Sequence, residues 1–530
     1  MNRAWLLVSV AGLCGACSSD GDGGGNDGVN RDGVLPPAGS AGSAAVSNPG
    51  AAQPERPAAP PLTVASLRPE SGASQVALDA VIEIRFSAAL DAATATASNI
   101  VVQGPNGPLE GELTVEGELV RFTPASKLPL LSPVRVRLGT ALASSAGGLL
   151  AEPVEAEFLS RDGAFRQPQQ VNSGAAASLF LRGNDAGNLI ATWTDLQVTS
   201  SVEAMLFDAE LGTWTAAQPI ENDAQLAFSR PVAAMAPNGD SIVAWRGGGW
   251  TRYAGSWSSA TVGASISLPS VALGADAALS VSNAMAGASY QLLPNGANEW
   301  SAAQTLLMGG QVNAIDAVAG AFLAIGTRNG ELVAGQLSAP GGSWSEFAAI
   351  GTVRQVERMQ LSTHGDTAAV AWLDLGEPPS EGDNLAPVKR PTARVFTGET
   401  WSTAMALPDG AELPWISAAA GGRALAVWRA GNAIHASSHS SEQGWSEPQQ
   451  LAEQSQLAPA GAIDGAGNLL ALWPSSQQIL VQRQAAGGDW NALEPVDSEV
   501  SVSLWSHVDG QGRVNLVWQN GTGIWWTRFE

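Results

Sequence analysis

Four histidines, His364, His435, His439 and His507, are all the imidazoles the chain offers for acid–base chemistry or metal ligation. His435 and His439 are spaced to share one face of a strand, since every second side chain points the same way. No third ligand completes a zinc set, so surface histidines without a metal are expected. The phrases "DGAGN" (Asp464–Asn468) and "DGQGR" (Asp509–Arg513) could serve calcium, but Asp-Gly turns between strands account for them more simply. No Ser-His-Asp phrase, phosphate-binding glycine loop or zinc spacing occurs, and neither a metal nor a cofactor is expected. The residues that stand out are aromatic. Trp415 and Trp505 each lie 13 residues ahead of another tryptophan, Trp428 and Trp518, at positions that are small elsewhere, as at Val232 and Ala460. With Arg429 nearby, such faces suit a sugar or an aromatic or charged peptide. The same rings would serve equally as packing in a wall of varying width.

These residues belong to a repeat. A phrase that opens on Trp recurs as "WTAAQPI", "WSSATVG", "WSAAQTL", "WSEFAAI", "WSTAMAL", "WSEPQQL" and "WNALEPV", starting at Trp214, Trp257, Trp300, Trp344, Trp401, Trp445 and Trp490. A second series runs from a glycine turn into an apolar strand ending on Trp193, Trp245, Trp372, Trp428, Trp473 or Trp518. About 45 residues holding four short strands is the size of a β-propeller blade. Small residues ahead of each glycine turn suit an innermost strand crowded around the axis. Eight units are predicted, with seven as the alternative, and first strands near residues 178, 230, 267, 313, 358, 413, 457 and 502. Units three and four carry Ser282 and Gly326 near the place of the second-strand Trp.

The eighth unit has no fourth-strand phrase of its own. The missing piece is "FRQPQQV", Phe165–Val171, which stands ahead of the first unit and matches "WSEPQQL" at Phe165, Pro168, Gln169 and Gln170. A ring completed this way has no free edge to seek other strands. The same stretch, an aromatic–Arg–x–Pro tetrapeptide, resembles the sialidase family, and the resemblance implies an Arg166 that grips a carboxylated sugar. That family also needs two further Arg, a Tyr–Glu pair and Asp-box turns. Tyr253 and Tyr290 are the only tyrosines, and "DAELGTW" and "SEQGW" depart from the Asp box. Arg166 is therefore expected where Ser446 sits in an ordinary repeat, and the chain is expected not to be an enzyme. A sialidase-like hydrolase or lyase at the channel mouth is the alternative, to be revived by three Arg or two carboxylates there.

Ahead of the repeats, residues 62–162 show short alternating runs such as "VIEIRF" and "PVRVRL", the pattern of antiparallel strands in a sandwich. From "LRPESGASQVALDAVIEIRFSAALD" to "EAEFLSRDG" the order and punctuation resemble SbsA-type bacterial Ig-like domains. The resemblance implies core aromatics at Phe86, Phe122 and Phe158, and a spacer whose core is separate from the propeller's. Residues 18–61 are Gly, Ser, Ala, Pro and Asp, a composition that buries too little apolar surface to fold and forms a tether. Residues 1–17 pair Arg3 with the apolar stretch Ala4–Leu13, then Gly15, Ala16 and Cys17. They resemble a bacterial lipoprotein signal, with Cys14 where Leu is usual. The resemblance implies an acylated, palmitate-bearing Cys17 and an outer-membrane address, on the periplasmic or the outer face.

A formal net charge of −23 with no basic stripe excludes a nucleic-acid partner. The expectation is an all-β chain with an Ig-like sandwich at 62–162 and a propeller at 163–530. Lipid-anchored and monomeric, it would bind or scaffold an envelope or extracellular protein or polysaccharide.

Overall fold

A computed structural model describes residues 59–530, apart from 175, 196–200, 223–229, 246–248, 259–260, 263–269, 298, 376–388, 409, 413, 454, 456, 477 and 498–502. The signal stretch, Cys17 and the tether lie outside the described residues.

Two four-stranded sheets open the described chain. One orders Val64–Arg68, Ile82–Phe86, Leu119–Pro124 and Gly111–Glu116; the other orders Gly107–Pro108, Ile100–Gly104, Pro133–Leu138 and Val154–Leu159. Alternate residues of Ile82–Phe86 and Pro133–Leu138 are buried, as a half-solvated sheet requires. Phe86, Phe122 and Phe158 are buried between the sheets.

Eight antiparallel sheets follow, blades 1–8 in chain order. Their innermost strands are Ala176–Gly183, Val232–Met235, Ser270–Leu273, Gly310–Val318, Val356–His364, Trp415–Ala419, Ala460–Ile463 and Ser503–Val508. Each inner strand neighbours the next, and that of blade 8 neighbours that of blade 1, so the ring closes by blade packing. Second strands are buried almost throughout, Leu189–Asp195 and Arg423–Ala430 among them. Trp193, Trp428, Trp473 and Trp518 are fully buried between blades. The Ser, Thr or Asn after each fourth-strand Trp has a definite task. Thr215, Ser258, Ser301, Ser345, Ser402, Ser446 and Asn491 each accept, through a side-chain oxygen, a backbone N–H of the blade's third strand.

Blade 8 is completed from the other end of the repeat region. Gln169–Ser173 pairs with Gly523–Phe529, setting Gln170 against Trp525 and Gln169 against Trp526. Phe165 meets Phe529 edge-on, with ring centroids 5.2 Å apart. Arg166 takes the place of Ser446: its N–H donates to the Arg528 carbonyl at 2.9 Å, as that of Ser446 does to Ser438.

The sandwich and the propeller do not keep separate cores, contrary to the expectation from sequence. Ala58–Glu530 is one compact unit, and a single apolar cluster runs from Phe86, Phe122 and Phe158 to Leu470, Leu516 and Trp518. Leu130 N–H donates to the Gln511 carbonyl (2.9 Å), Asn468 Nδ2 to Leu131 (3.1 Å) and Asn106 Nδ2 to Gly510 (3.2 Å). The two Asp-Gly turns thus face the sandwich. Asp464 Oδ1 and Asp509 Oδ1 each accept two backbone N–H groups of their own turn, which is why the phrase recurs.

Candidate functional site

The bore of the propeller encloses a cavity of about 650 Å³ lined by inner-strand residues. One side of it is aromatic. Phe180 of blade 1, Trp505 of blade 8 and Trp415 of blade 6 form an arc, with centroids 5.1 Å apart for the first pair and 5.4 Å for the second. The arc exists because the blade 7 inner strand has only Ala460-Gly461-Ala462 here, none of which lines the cavity. A Cβ at Gly461 would fall 2.7 Å from Val427 Cγ2, so the strand sits too close to blade 6 to carry a side chain there. The rings of the flanking blades meet over it. Trp415 Nε1 and Ser506 Oγ both donate to the Gly461 carbonyl, at 2.8 and 2.7 Å. Trp415 is thereby pinned, whereas no hydrogen bond holds the Trp505 indole among the described residues. The opposite wall carries smaller or flexible groups, including Val232, Ser270, Ala314 and Met359.

Toward the end where the inner strands terminate, polar side chains cross the bore. Arg182, two residues beyond Phe180, reaches from blade 1 to blade 4, where its Nη2 donates to Asp316 Oδ2 at 2.6 Å. Thr363 Oγ1 of blade 5 donates to the same oxygen at 3.0 Å. His364, last residue of the blade 5 inner strand, places Nδ1 3.3 Å from Asp185 Oδ1 of blade 1. His507 lies beside them, its Nε2 3.1 Å from the Asn184 carbonyl. Burial pushes the His507 imidazole below its ordinary pKa, against the Asn184 carbonyl, which acts to raise it. The cavity therefore has an aromatic wall and a charged, hydrogen-bonding floor.

Of the residues singled out in the sequence, Trp415 and Trp505 come together in this wall, and Arg429 does not join them. Its guanidinium pairs with Glu412, Nε 3.2 Å from Oε2, and lies outside the cavity lining. Arg166 stands on the outermost strand of blade 8, paired with Glu530 and half-exposed. Tyr253 and Tyr290 pack against Trp257 and Trp344, away from the bore. His439 is not a surface residue: it is buried in blade 6, edge-on to Trp445, with Nδ1 2.8 Å from the Gly422 carbonyl. His435 stacks on Trp428 at 5.7 Å. Among the described residues no three His, Cys, Asp or Glu side chains form a metal-holding group. The floor was missed in the sequence. Its signal was a charge inside a stretch otherwise small and apolar, Arg182 in "SLFLRG" and Asp316 in "NAIDAVAG".

Residues 58–160 match the family model of the bacterial Ig-like domain. No curated protein matches the chain. Many solved structures share its fold at low identity. The Dos1 propeller is 8% identical, with a TM-score of 0.47, over 69% of this chain and 95% of its own. An ulvan-degrading polysaccharide lyase is 9% identical, with a TM-score of 0.38, over 64% of this chain and 96% of its own. A post-proline cleaving enzyme from Rickettsia typhi is 10% identical, with a TM-score of 0.35, over 67% of this chain and 58% of its own. The chain is an all-β protein in which an Ig-like sandwich precedes a β-propeller. The expectation that it is not an enzyme does not stand. The solved structures it is similar to include a polysaccharide lyase and a post-proline cleaving enzyme. Two carboxylates, Asp185 and Asp316, moreover line the cavity, at its floor.

Proposed function

We propose that this protein is a membrane-anchored extracytoplasmic lipoprotein whose propeller binds a saccharide of the cell envelope or its surroundings in the bore. The observation that carries the binding role is the cavity itself, with Phe180, Trp505 and Trp415 on one wall and Arg182, Asp316 and Thr363 on its floor. A sugar ring presents an apolar C–H face and a rim of hydroxyls. Aromatic rings receive the first, and charge-assisted hydrogen bonds receive the second. The volume lies in the range of small-ligand sites, enough for a terminal residue or two of a glycan. Trp505 is the platform and Trp415 its support. A glycan array probed with the wild-type protein and with Trp505→Ala tests this: retained glycan binding by a folded Trp505→Ala protein would remove the site.

The anchor rests on Arg3, the apolar stretch Ala4–Leu13 and the small residues ahead of Cys17. Acyl chains there add about 0.8 kcal/mol per buried CH₂ to membrane affinity. Cys17→Ser should move the protein from the membrane to the soluble fraction. Protease treatment of intact cells then distinguishes the periplasmic from the outer face.

A second reading, a glycan hydrolase or lyase acting in the same cavity, is favoured by one observation. The His364 imidazole is held across the bore by Asp185 at 3.3 Å, the arrangement of a base with an orienting carboxylate. Turnover of bound glycans that His364→Ala abolishes without loss of binding would establish it.

A further inference from the structure

We propose that the cavity selects an uncharged saccharide, one read by its hydroxyls, and discriminates against uronic and sulfated sugars; this rests on the saccharide-binding reading above. Among the described residues that line the cavity, the one Lys or Arg is Arg182, and it is already matched. Arg182 donates to Asp316, and the same carboxylate accepts from Thr363. The pair is mostly buried, with side-chain exposures of 29% for Arg182 and 13% for Asp316. An anionic sugar that reached the remaining N–H groups of Arg182 would lie beside the Asp316 carboxylate, two like charges in one mostly buried place. Displacing Asp316 instead would break a buried pair, which is strongly unfavourable.

The remaining groups point the same way. Asp185 adds a second carboxylate on the opposite side of the floor, facing His364. Asp366, next along the chain from the cavity-lining Gly365, accepts a hydrogen bond from Gly421 N–H at 3.0 Å and adds a third negative group close by. Arg513 and Arg528, behind His507, are each already paired with Asp509. The floor is therefore net negative, in a chain of net charge −23. Coulomb repulsion disfavours a ligand anion at each of these distances.

A hydroxyl meets no such obstacle, because it both donates and accepts. Neighbouring hydroxyls on one sugar ring can donate to the remaining lone pair of Asp316 Oδ1, which already accepts from Ala317 N–H, and accept from the free N–H groups of Arg182 without parting the pair. The ring's C–H face would then lie against Trp505 between Phe180 and Trp415. An Arg–Asp couple under an aromatic wall thus reads a neutral polyol edge, where a lone Arg would read an acid.

The test is direct binding by calorimetry with the full chain. The probes are neutral oligosaccharides (glucans, mannans, galactans) beside oligogalacturonate, alginate oligomers and a sulfated galactan. Expected are binding of at least one neutral series, at least tenfold weaker binding of every anionic one, and little change for the neutral series between 50 and 500 mM salt. Asp316→Asn should weaken the neutral series about tenfold or more, at unchanged anionic preference or with gain for uronates. Should Asp316→Asn not fold, the Arg182→Gln/Asp316→Asn protein removes both charges together and should keep neutral over anionic binding within a reduced margin. Tighter binding of a uronate or sulfated probe by the wild type, falling with salt, would overturn this inference while leaving the saccharide site in place. Binding of none of the probes would overturn both.

Discussion

Blades 7 and 8 and blades 3 and 4 hold the ring together by different means. Blades 7 and 8 carry second-strand tryptophans, Trp473 and Trp518, and their Asp-Gly turns are capped by the sandwich through Leu130, Leu131 and Asn106. Blades 3 and 4 have neither. Ser282 occupies one tryptophan position and bonds Ser289 at 2.9 Å; Gly326 occupies the other. There the space is filled from the neighbouring blade. A Cβ at Gly326 would fall 3.1 Å from Leu307 Cδ2, and one at Gly310 2.7 Å from it. Leu307, on the outer strand of blade 3, does for blade 4 what an indole does elsewhere. The repeat therefore specifies volume between blades rather than a particular side chain, and blade identity survives the loss of its signature residue.

The comparison can be broken most severely at blade 8. Deleting Phe165–Ser173 removes the strand that pairs with Trp525 and Trp526 and leaves an open sheet edge. The expected result is aggregation, read by size-exclusion chromatography beside the full chain; an elution unchanged from that of the full chain would show that the edge is dispensable. Next comes Phe86→Lys. A charge in the shared cluster should cost roughly 4 kcal/mol or more and lower a single calorimetric transition. Two separated transitions, the upper one unmoved, would mean that sandwich and propeller are independent after all. Leu307→Ala should cost about 2–5 kcal/mol in urea unfolding, as for a buried leucine anywhere. A cost well under 1 kcal/mol would mean that blades 3 and 4 pack through other residues.

A smaller effect concerns acid. Burial lowers the pKa of His507 and of His439, the latter despite the opposing Gly422 carbonyl. Both are harder to protonate folded than unfolded, and unfolding lets them take up protons below about pH 6.5, the ordinary imidazole value. The unfolded chain then binds more protons, so stability is full above that pH and declines as pH falls through it. Asp464, raised by burial, works in the opposite sense. Melting temperatures between pH 7.5 and 5.5 should fall in the wild type and fall less in the His439→Gln/His507→Gln protein. An equal slope in both would assign the acid sensitivity to other groups. The smallest effect is at Arg166, whose side chain is half-exposed in its pair with Glu530. Arg166→Ala should change stability within about 0.5 kcal/mol.

The blade count and the origin of the closing strand were legible because both rest on local pattern. Trp, the glycine turn and the Ser, Thr or Asn that caps the third strand recur at similar spacing in most of the units. The match of "FRQPQQV" to "WSEPQQL" could be read without knowing where either strand lies. The sandwich was legible for the same reason, through the alternation in Ile82–Phe86 and Pro133–Leu138. Sequence spacing also singled out Trp415 and Trp505, since a large ring at a small-residue position is visible in one dimension. What the tertiary structure alone decided is which side chains face each other across the bore. Arg182 and Asp316 stand 134 positions apart, and His364 and Asp185 come from opposite blades. No local period carries those separations. Arg429 shows the converse: close to Trp415 and Trp428 in sequence, it pairs with Glu412, whose own N–H donates to the Arg429 carbonyl at 2.9 Å, so the partner lies directly beside it in the same blade. The merging of the sandwich core with that of blades 7 and 8 was equally hidden, as it depends on ring closure bringing the last blades back to the residues that precede the first.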